Sequence, residues 1–216
     1  SMNKKILSKL TALTVFGGIS TSCMFVNTTN VFAKEINSES RIELHQVSNS
    51  EFEEMKNEIS KYLVLNSDGT IGLSLKMPRS YNYEYNLDGL YKHFDMLNEK
   101  VKSGEISINN DFSINQKQTR AGQTCLKYYW WGTSGYYSYS NARREIVGLK
   151  NAAIAGTGVA TVGGLTGNLI ASVGGTITAT YCAMLANSME EVNSNNGQRG
   201  IVVDINWVLA YSVYSQ

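Results

Sequence analysis

The chain has 216 residues, with 19 Lys plus Arg against 18 Asp plus Glu, a net charge of +1, and only two histidines and three cysteines. So balanced a charge carries no footprint for nucleic acid. So few histidines and cysteines give little material for a metal centre.

Ser1 precedes Met2 and reads as an expression scar. Lys4, Lys5 and Lys9 lead into an apolar run from Leu10 to Phe25, which closes near Val31-Phe32-Ala33 in the small-residue pattern of a secretory cleavage site. The expectation is an exported, extracellular protein cut between Ala33 and Lys34. Cys23 follows Ser20-Thr21-Ser22, without the Leu or Ile that lipoprotein processing needs.

The remaining 183 residues divide unevenly in charge: residues 34–120 hold 11 basic and 14 acidic side chains, and residues 121–216 hold 5 and 4. The first part reads as an acidic soluble region. Ser50 and Glu53 have capping-box spacing, and Phe52, Met55, Ile59 and Leu63 continue at helical intervals. A hairpin follows, Tyr62–Leu65 and Ile71–Lys76 about the turn Asn66-Ser67-Asp68-Gly69. Pro78, the only proline, closes it. A second amphipathic helix is expected from Asp88 to Lys102, stopped by Gly104. Residues 105–120 lose periodicity and read as an exposed linker, with a protease site at Arg120-Ala121 and a second basic residue at Lys117. His45 and His93 are read as structural, His93 on a surface helix.

In the C-terminal part, Cys125 and Cys182 are the cysteines left after export, and an oxidising compartment favours a bridge between them. It would close a loop of 57 residues, worth about 4 kcal/mol in the chain-entropy model. Leu126–Trp131, a turn Gly132-Thr133-Ser134-Gly135 and Tyr136–Tyr139 read as an aromatic hairpin. Its Tyr128, Tyr129, Trp130, Trp131, Tyr136 and Tyr137 suit a membrane or protein interface, a core or a sugar platform. Arg143 and Arg144, at the start of the next helix, face either anionic headgroups or solvent.

Asn151 to Asn187 carries no charge and holds seven of the 19 glycines. Wound as one helix, Gly156, Gly163, Gly167 and Gly174 fall within about 20° of one line, a glycine-zipper stripe that lets helices approach closely. At about 1.5 Å per residue the segment is too long for one bilayer span, so a helical hairpin broken at Gly163-Gly164 is expected. The other readings are a buried small-residue hairpin in a soluble protein, and strands, since Thr176, Thr178 and Thr180 alternate. After the turn-rich Asn193–Gly197, one long strand is expected to place Ile201, Val203, Ile205, Trp207, Leu209, Tyr211 and Val213 on one face. The fold class is α+β: a small helical and hairpin pro-region, then an aromatic sheet with a glycine-rich helical hairpin.

Residues 121–216 hold no histidine and four acidic residues, so no nucleophile–base pair, metal cluster or phosphate loop can be assembled there; no catalytic residue, metal or cofactor is expected. The layout, with "YLVLNSDGTIGLSLK", "LNEKVKSGEISI", "YYWWG" and "GQRGIVVDINW", resembles the large secreted bacteriocin precursors of Gram-positive bacteria, of the closticin and geobacillin kind. The resemblance implies a non-enzymatic antimicrobial propeptide, with residues 34–120 as pro-region and 121–216 as the toxin. Its expected partners are the target cell membrane, an activating protease and further copies of itself in the membrane. The alternatives are a secreted adhesin or carbohydrate- or protein-binding module using the aromatic hairpin, and an inhibitor whose halves are never separated.

Overall fold

The first helix is opened by Ser48, two residues earlier than the Ser50 expected. In the computed structural model, which describes residues 47–116, 124–155, 162–174 and 177–216, the Ser48 hydroxyl accepts the Glu51 amide at 3.3 Å and the Glu51 carboxylate accepts the Ser48 amide at 3.0 Å. This reciprocal box starts α1, Asn49–Ser60, which buries Phe52, Met55 and Ile59 along one stripe. Strands β1, Leu63–Leu65, and β2, Ile71–Leu73, pair across the Asp-Gly turn. A single turn, α2, Tyr81–Glu84, leads into α3, Asp88–Lys102, which buries Leu90, His93, Phe94 and Leu97.

Residues 105–116 are not a linker. They form a second hairpin, β3, Ile106–Ile108, with β4, Ile114–Gln116, and bury Ile106 and Ile108. Its loop repeats the first one bond for bond. Asp68 Oδ1 accepts the Thr70 amide and hydroxyl at 3.1 and 2.6 Å; Asp111 Oδ1 accepts those of Ser113 at 3.0 and 2.6 Å. Asn66 and Asn109 each donate a side-chain N–H to the same hydroxyl. The region is thus a helix–hairpin unit used twice. Phe112, at φ 62°, takes a left-handed conformation in the second loop, as Gly69 does at φ 81° in the first.

The C-terminal part is a four-stranded antiparallel sheet, ordered β5-β6-β7-β8, with β5, Cys125–Tyr129, β6, Gly132–Tyr137, β7, Ile201–Asn206, and β8, Tyr211–Ser215. Three helices lie between β6 and β7 in sequence: α4, Tyr139–Ala155, α5, Gly164–Ser172, and α6, Ala179–Asn195. Strand alternation turns Leu126, Tyr137, Ile201, Val203, Ile205, Tyr211 and Val213 toward them, against Leu149, Leu169, Ile170, Leu185 and Met189. Glu145 of α4 fastens the short α5: its two carboxylate oxygens accept the Leu165 and Thr166 amides, each at 3.1 Å, at the end of the helix where unpaired N–H groups collect. The chain is α+β.

Several expectations for this part change. The hairpin turns at Trp130-Trp131, and Gly132–Gly135 belong to β6, with Tyr129 paired to Gly132. The final segment is two strands, because Asn206 Oδ1 accepts the Val208 and Ala210 amides and reverses the chain. Trp207 therefore leaves the strand face. Cys125 and Cys182 are both free thiols. Cys125 alternates with Leu126 and so faces away from the helices, whereas Cys182 is buried within the helix layer, on α6 over β7 and β8 at the far end of the sheet from β5. Burial pushes the Cys182 thiol pKa up, the opposite of what a reactive thiolate needs.

The glycines do not form a stripe. Gly163 is the N-cap of α5, Gly164 follows with φ 72°, and Gly174 sits past its end with φ 67°. Gly167 lies in α5, where a Cβ would overlap the Val162 carbonyl oxygen. Gly164 and Gly174 serve local backbone geometry and Gly167 a close backbone approach, whereas Gly163 has open space around it; Gly156 lies outside the described residues. Among the described residues no helix is long and apolar enough to cross a membrane.

Candidate functional site

A two-residue turn carrying two tryptophans would ordinarily project into solvent. Here it does not. Trp130, Trp131 and the displaced Trp207 join the apolar cluster formed by α1, α3 and the two hairpins of residues 47–116. Trp207 is 2% exposed; its ring centroid lies 4.7 Å from that of Phe52 and 6.0 Å from that of Trp130, and its Nε1 donates to the Tyr85 carbonyl at 3.0 Å. Trp131 stacks on Tyr129 at 5.0 Å and meets the edge of Phe52 at 6.1 Å. The charge step in the sequence is thus bridged by aromatic packing, and residues 47–216 form one compact unit.

Polar contacts complete this junction. Gln116, the last residue of β4, lays its amide along the free edge of β5, accepting the Tyr128 amide at 3.0 Å and donating to the Leu126 carbonyl at 3.2 Å. Such a side chain occupies an edge that would otherwise recruit another strand. Lys100 lies 5.3 Å above the Tyr128 ring. At Gly89 the α3 backbone comes so close to the 207 peptide that a Cβ would overlap the Trp207 carbonyl oxygen.

His93 sits at the centre. It is fully buried, not on a surface helix as expected, with Nδ1 2.7 Å from the Ser172 carbonyl oxygen of α5 and Nε2 2.7 Å from that of Tyr129 of β5. A neutral imidazole has one N–H, so it can donate to only one of these acceptors; the imidazolium would serve both. Burial, the larger influence, lowers the His93 pKa below 6.5, and the two carbonyls pull it back only in part. The folded protein therefore favours the neutral ring. Stability from this preference is fully present above the unfolded-state value and is lost as pH falls below it, toward the lowered folded value. The expected result is a urea midpoint that drops below about pH 6.5, with the drop reduced in His93→Gln. An equal acid drop in both proteins would remove His93 from the account.

The six aromatics singled out in the hairpin do not share one surface. Tyr137 is buried in the helix-side core, with its hydroxyl 3.1 Å from that of Thr166. Tyr128, Trp130 and Trp131 meet the N-terminal part, while Tyr129 and Tyr136 lie on the sheet face away from the helices. Gln116 does not stand out in the sequence and Trp207 was expected on a strand face; no local signal marks either as a junction residue. The cleavage residues Ala33, Lys34, Arg120 and Ala121, with His45, lie outside the described residues. Among the described residues no three His, Cys, Asp or Glu side chains are grouped to hold a metal. Comparison with family profiles, curated proteins and solved structures finds no match to this chain.

Proposed function

We propose that the chain is a secreted, non-enzymatic antibacterial toxin precursor of the bacteriocin type, in which residues 47–116 act as an intramolecular cap on the C-terminal module. The observation that carries this reading is the burial of Trp207 in the apolar cluster of the N-terminal part, with Trp130 and Trp131 partly buried against it. Indole rings favour the membrane interface, where the apolar body is buried and the N–H stays wet. With the cap in place Trp207 is withheld from a bilayer and Trp130 and Trp131 are covered in part. Cleavage at Arg120-Ala121 severs the chain between cap and module, and departure of the cap uncovers the three rings together with the β5 edge held by Gln116. Insertion then requires the uncharged segment 151–187, from the end of α4 through α5 to the first half of α6, to leave the sheet and reassemble in lipid, alone or with further copies.

The test is dye release from vesicles, comparing the chain from Lys34 intact and after trypsin, with mass spectrometry locating the cut. Release only after cleavage near Arg120 is the expected result. No release from either form, on anionic and neutral lipid alike, would overturn it.

One observation favours a second reading, a secreted binding module. The sheet face away from the helices carries Tyr129, Tyr136 and Tyr214 around Asp204, which accepts the Ser134 hydroxyl at 2.5 Å and the Tyr214 hydroxyl at 3.1 Å. Aromatic rings beside fixed acceptors suit a sugar or a protein partner. Glycan binding by the uncut chain, without leakage after cleavage, would favour it.

A further inference from the structure

The groove between α4 and α6 takes no part in the junction. Tyr139, Arg143, Val147 and Lys150 line it from α4, and Glu190 and Asn193 from α6, around a space of about 370 Å³. Tyr139, Arg143, Val147, Lys150 and Ile154 follow one another at helical steps of three and four, so they share one face of α4. On that face Val147 is 56% exposed and Ile154 76% exposed.

The charges around the groove are unbalanced. Glu145, the one carboxylate of α4, is engaged with the amides of α5. The charged side chains lining the groove are then Arg143 and Lys150 against a single carboxylate, Glu190, which lies 2.7 Å from Lys150 Nζ. Arg144 donates to Asn141, and Arg143 has no ion-pair partner among the described residues. A second, independent feature lies at the groove wall. Asn193 is 2% exposed and donates its Nδ2 to the Tyr139 carbonyl at 3.3 Å, but its Oδ1 has no hydrogen-bond partner. A buried acceptor without a donor is costly, and native structures rarely leave one unless something fills it.

We propose that this groove docks the headgroup of an anionic phospholipid bearing hydroxyls, such as phosphatidylglycerol, at the surface of a bilayer. Arg143 and Lys150 hold the phosphate, a headgroup hydroxyl donates to Asn193 Oδ1, and Val147 and Ile154 dip into the acyl boundary. The exposed apolar pair selects a lipid surface over a free phosphate, and the excess of cations selects an anionic lipid over a zwitterionic one. The inference rests on the membrane-target reading and names where the chain first meets its target, before any permeabilisation.

The test is co-sedimentation of the uncut chain from Lys34 with vesicles of phosphatidylcholine alone or mixed with phosphatidylglycerol. Binding is expected only to the mixture, and the double variant Arg143→Gln/Lys150→Gln should bind roughly 30-fold more weakly at low salt with an unchanged melting temperature. Val147→Ser/Ile154→Ser should weaken binding to vesicles at constant lipid charge. Equal binding to both vesicle types, or wild-type binding by the double charge variant, would overturn the docking site. Wild-type binding that depends on Arg143 and Lys150, without leakage after cleavage, would instead sink the toxin reading and leave the docking site standing.

Discussion

Trp207→Ala is expected to cost the folded chain about 3–5 kcal/mol, the range for truncating a fully buried aromatic. Two losses combine. The cavity opens between Phe52 and Trp130, whose rings both pack on Trp207. The Tyr85 carbonyl also loses its donor in a place that water does not easily reach. Trp207→Phe separates them, since it keeps much of the volume but still orphans that carbonyl, a cost of about 1–3 kcal/mol. Urea unfolding of the two variants measures both. The junction also makes a further claim: Trp207→Ala should increase cutting between residues 47–116 and the module well below the global midpoint, because the cap lets go first. A change under about 1 kcal/mol in Trp207→Ala, small even for a single truncated core side chain, would mean that the tryptophans are not what holds the two parts together.

Gly89→Ala should also be strongly destabilising, against the usual direction. In an exposed helix the change would stabilise by about 1 kcal/mol, because alanine has the better helix propensity. Here the added Cβ overlaps the Trp207 carbonyl oxygen and approaches the Val173 carbonyl at 3.5 Å. The main obstacle is backbone, which cannot rotate aside. Either α3 or the turn after β7 must move, at a cost of about 1–3 kcal/mol or more for an overpacked contact. The movement has a local signature, since α3 also carries His93: the hydrogen bonds to Ser172 and Tyr129 should lengthen, and the His93 ring protons should shift in NMR spectra. A Gly89→Ala protein more stable than wild type would place α3 farther from the module than the structure has it.

The parts of the fold that were legible are those with local signals. Asp68-Gly69 announced its turn, Gly104 its helix stop, and the Phe52, Met55, Ile59 stripe its helix. The second hairpin was hidden because Phe112 occupies the left-handed position where a glycine would have marked a turn. The hydrogen bonds of its Asp111 and Ser113 substitute for that signal, but they look like ordinary polar residues in sequence. The tryptophan turn was misplaced for the converse reason. Gly132 and Gly135 read as turn residues, yet they are strand residues in a crowded sheet: a Cβ at Gly132 would overlap the Ile205 carbonyl oxygen, and one at Gly135 would press on the Tyr137 ring. The junction itself was the least visible. It brings together residues such as Tyr85 and Trp207, 122 positions apart, and the charge step between the two halves points toward separation. His93 looked like a surface residue because it sits among charged neighbours on α3, and only the packing of α5 and β5 on both sides of its ring shows otherwise.

The repeated helix–hairpin unit also sets an order of events in time. Its two loops close through contacts only four residues apart, as between Asn66 and Thr70 or Asn109 and Ser113, and hairpins of this kind form within about 1–10 μs. The central pair of the sheet must bring together residues such as Ser134 and Asp204, 70 positions apart with three helices between them. Closing so long a loop before any pairing rewards it is slow. The N-terminal part can therefore be standing when the sheet is still open, presenting a finished apolar surface on which the two tryptophans of the β5–β6 turn can settle. In that sequence it acts first as a mould for the rest of the chain.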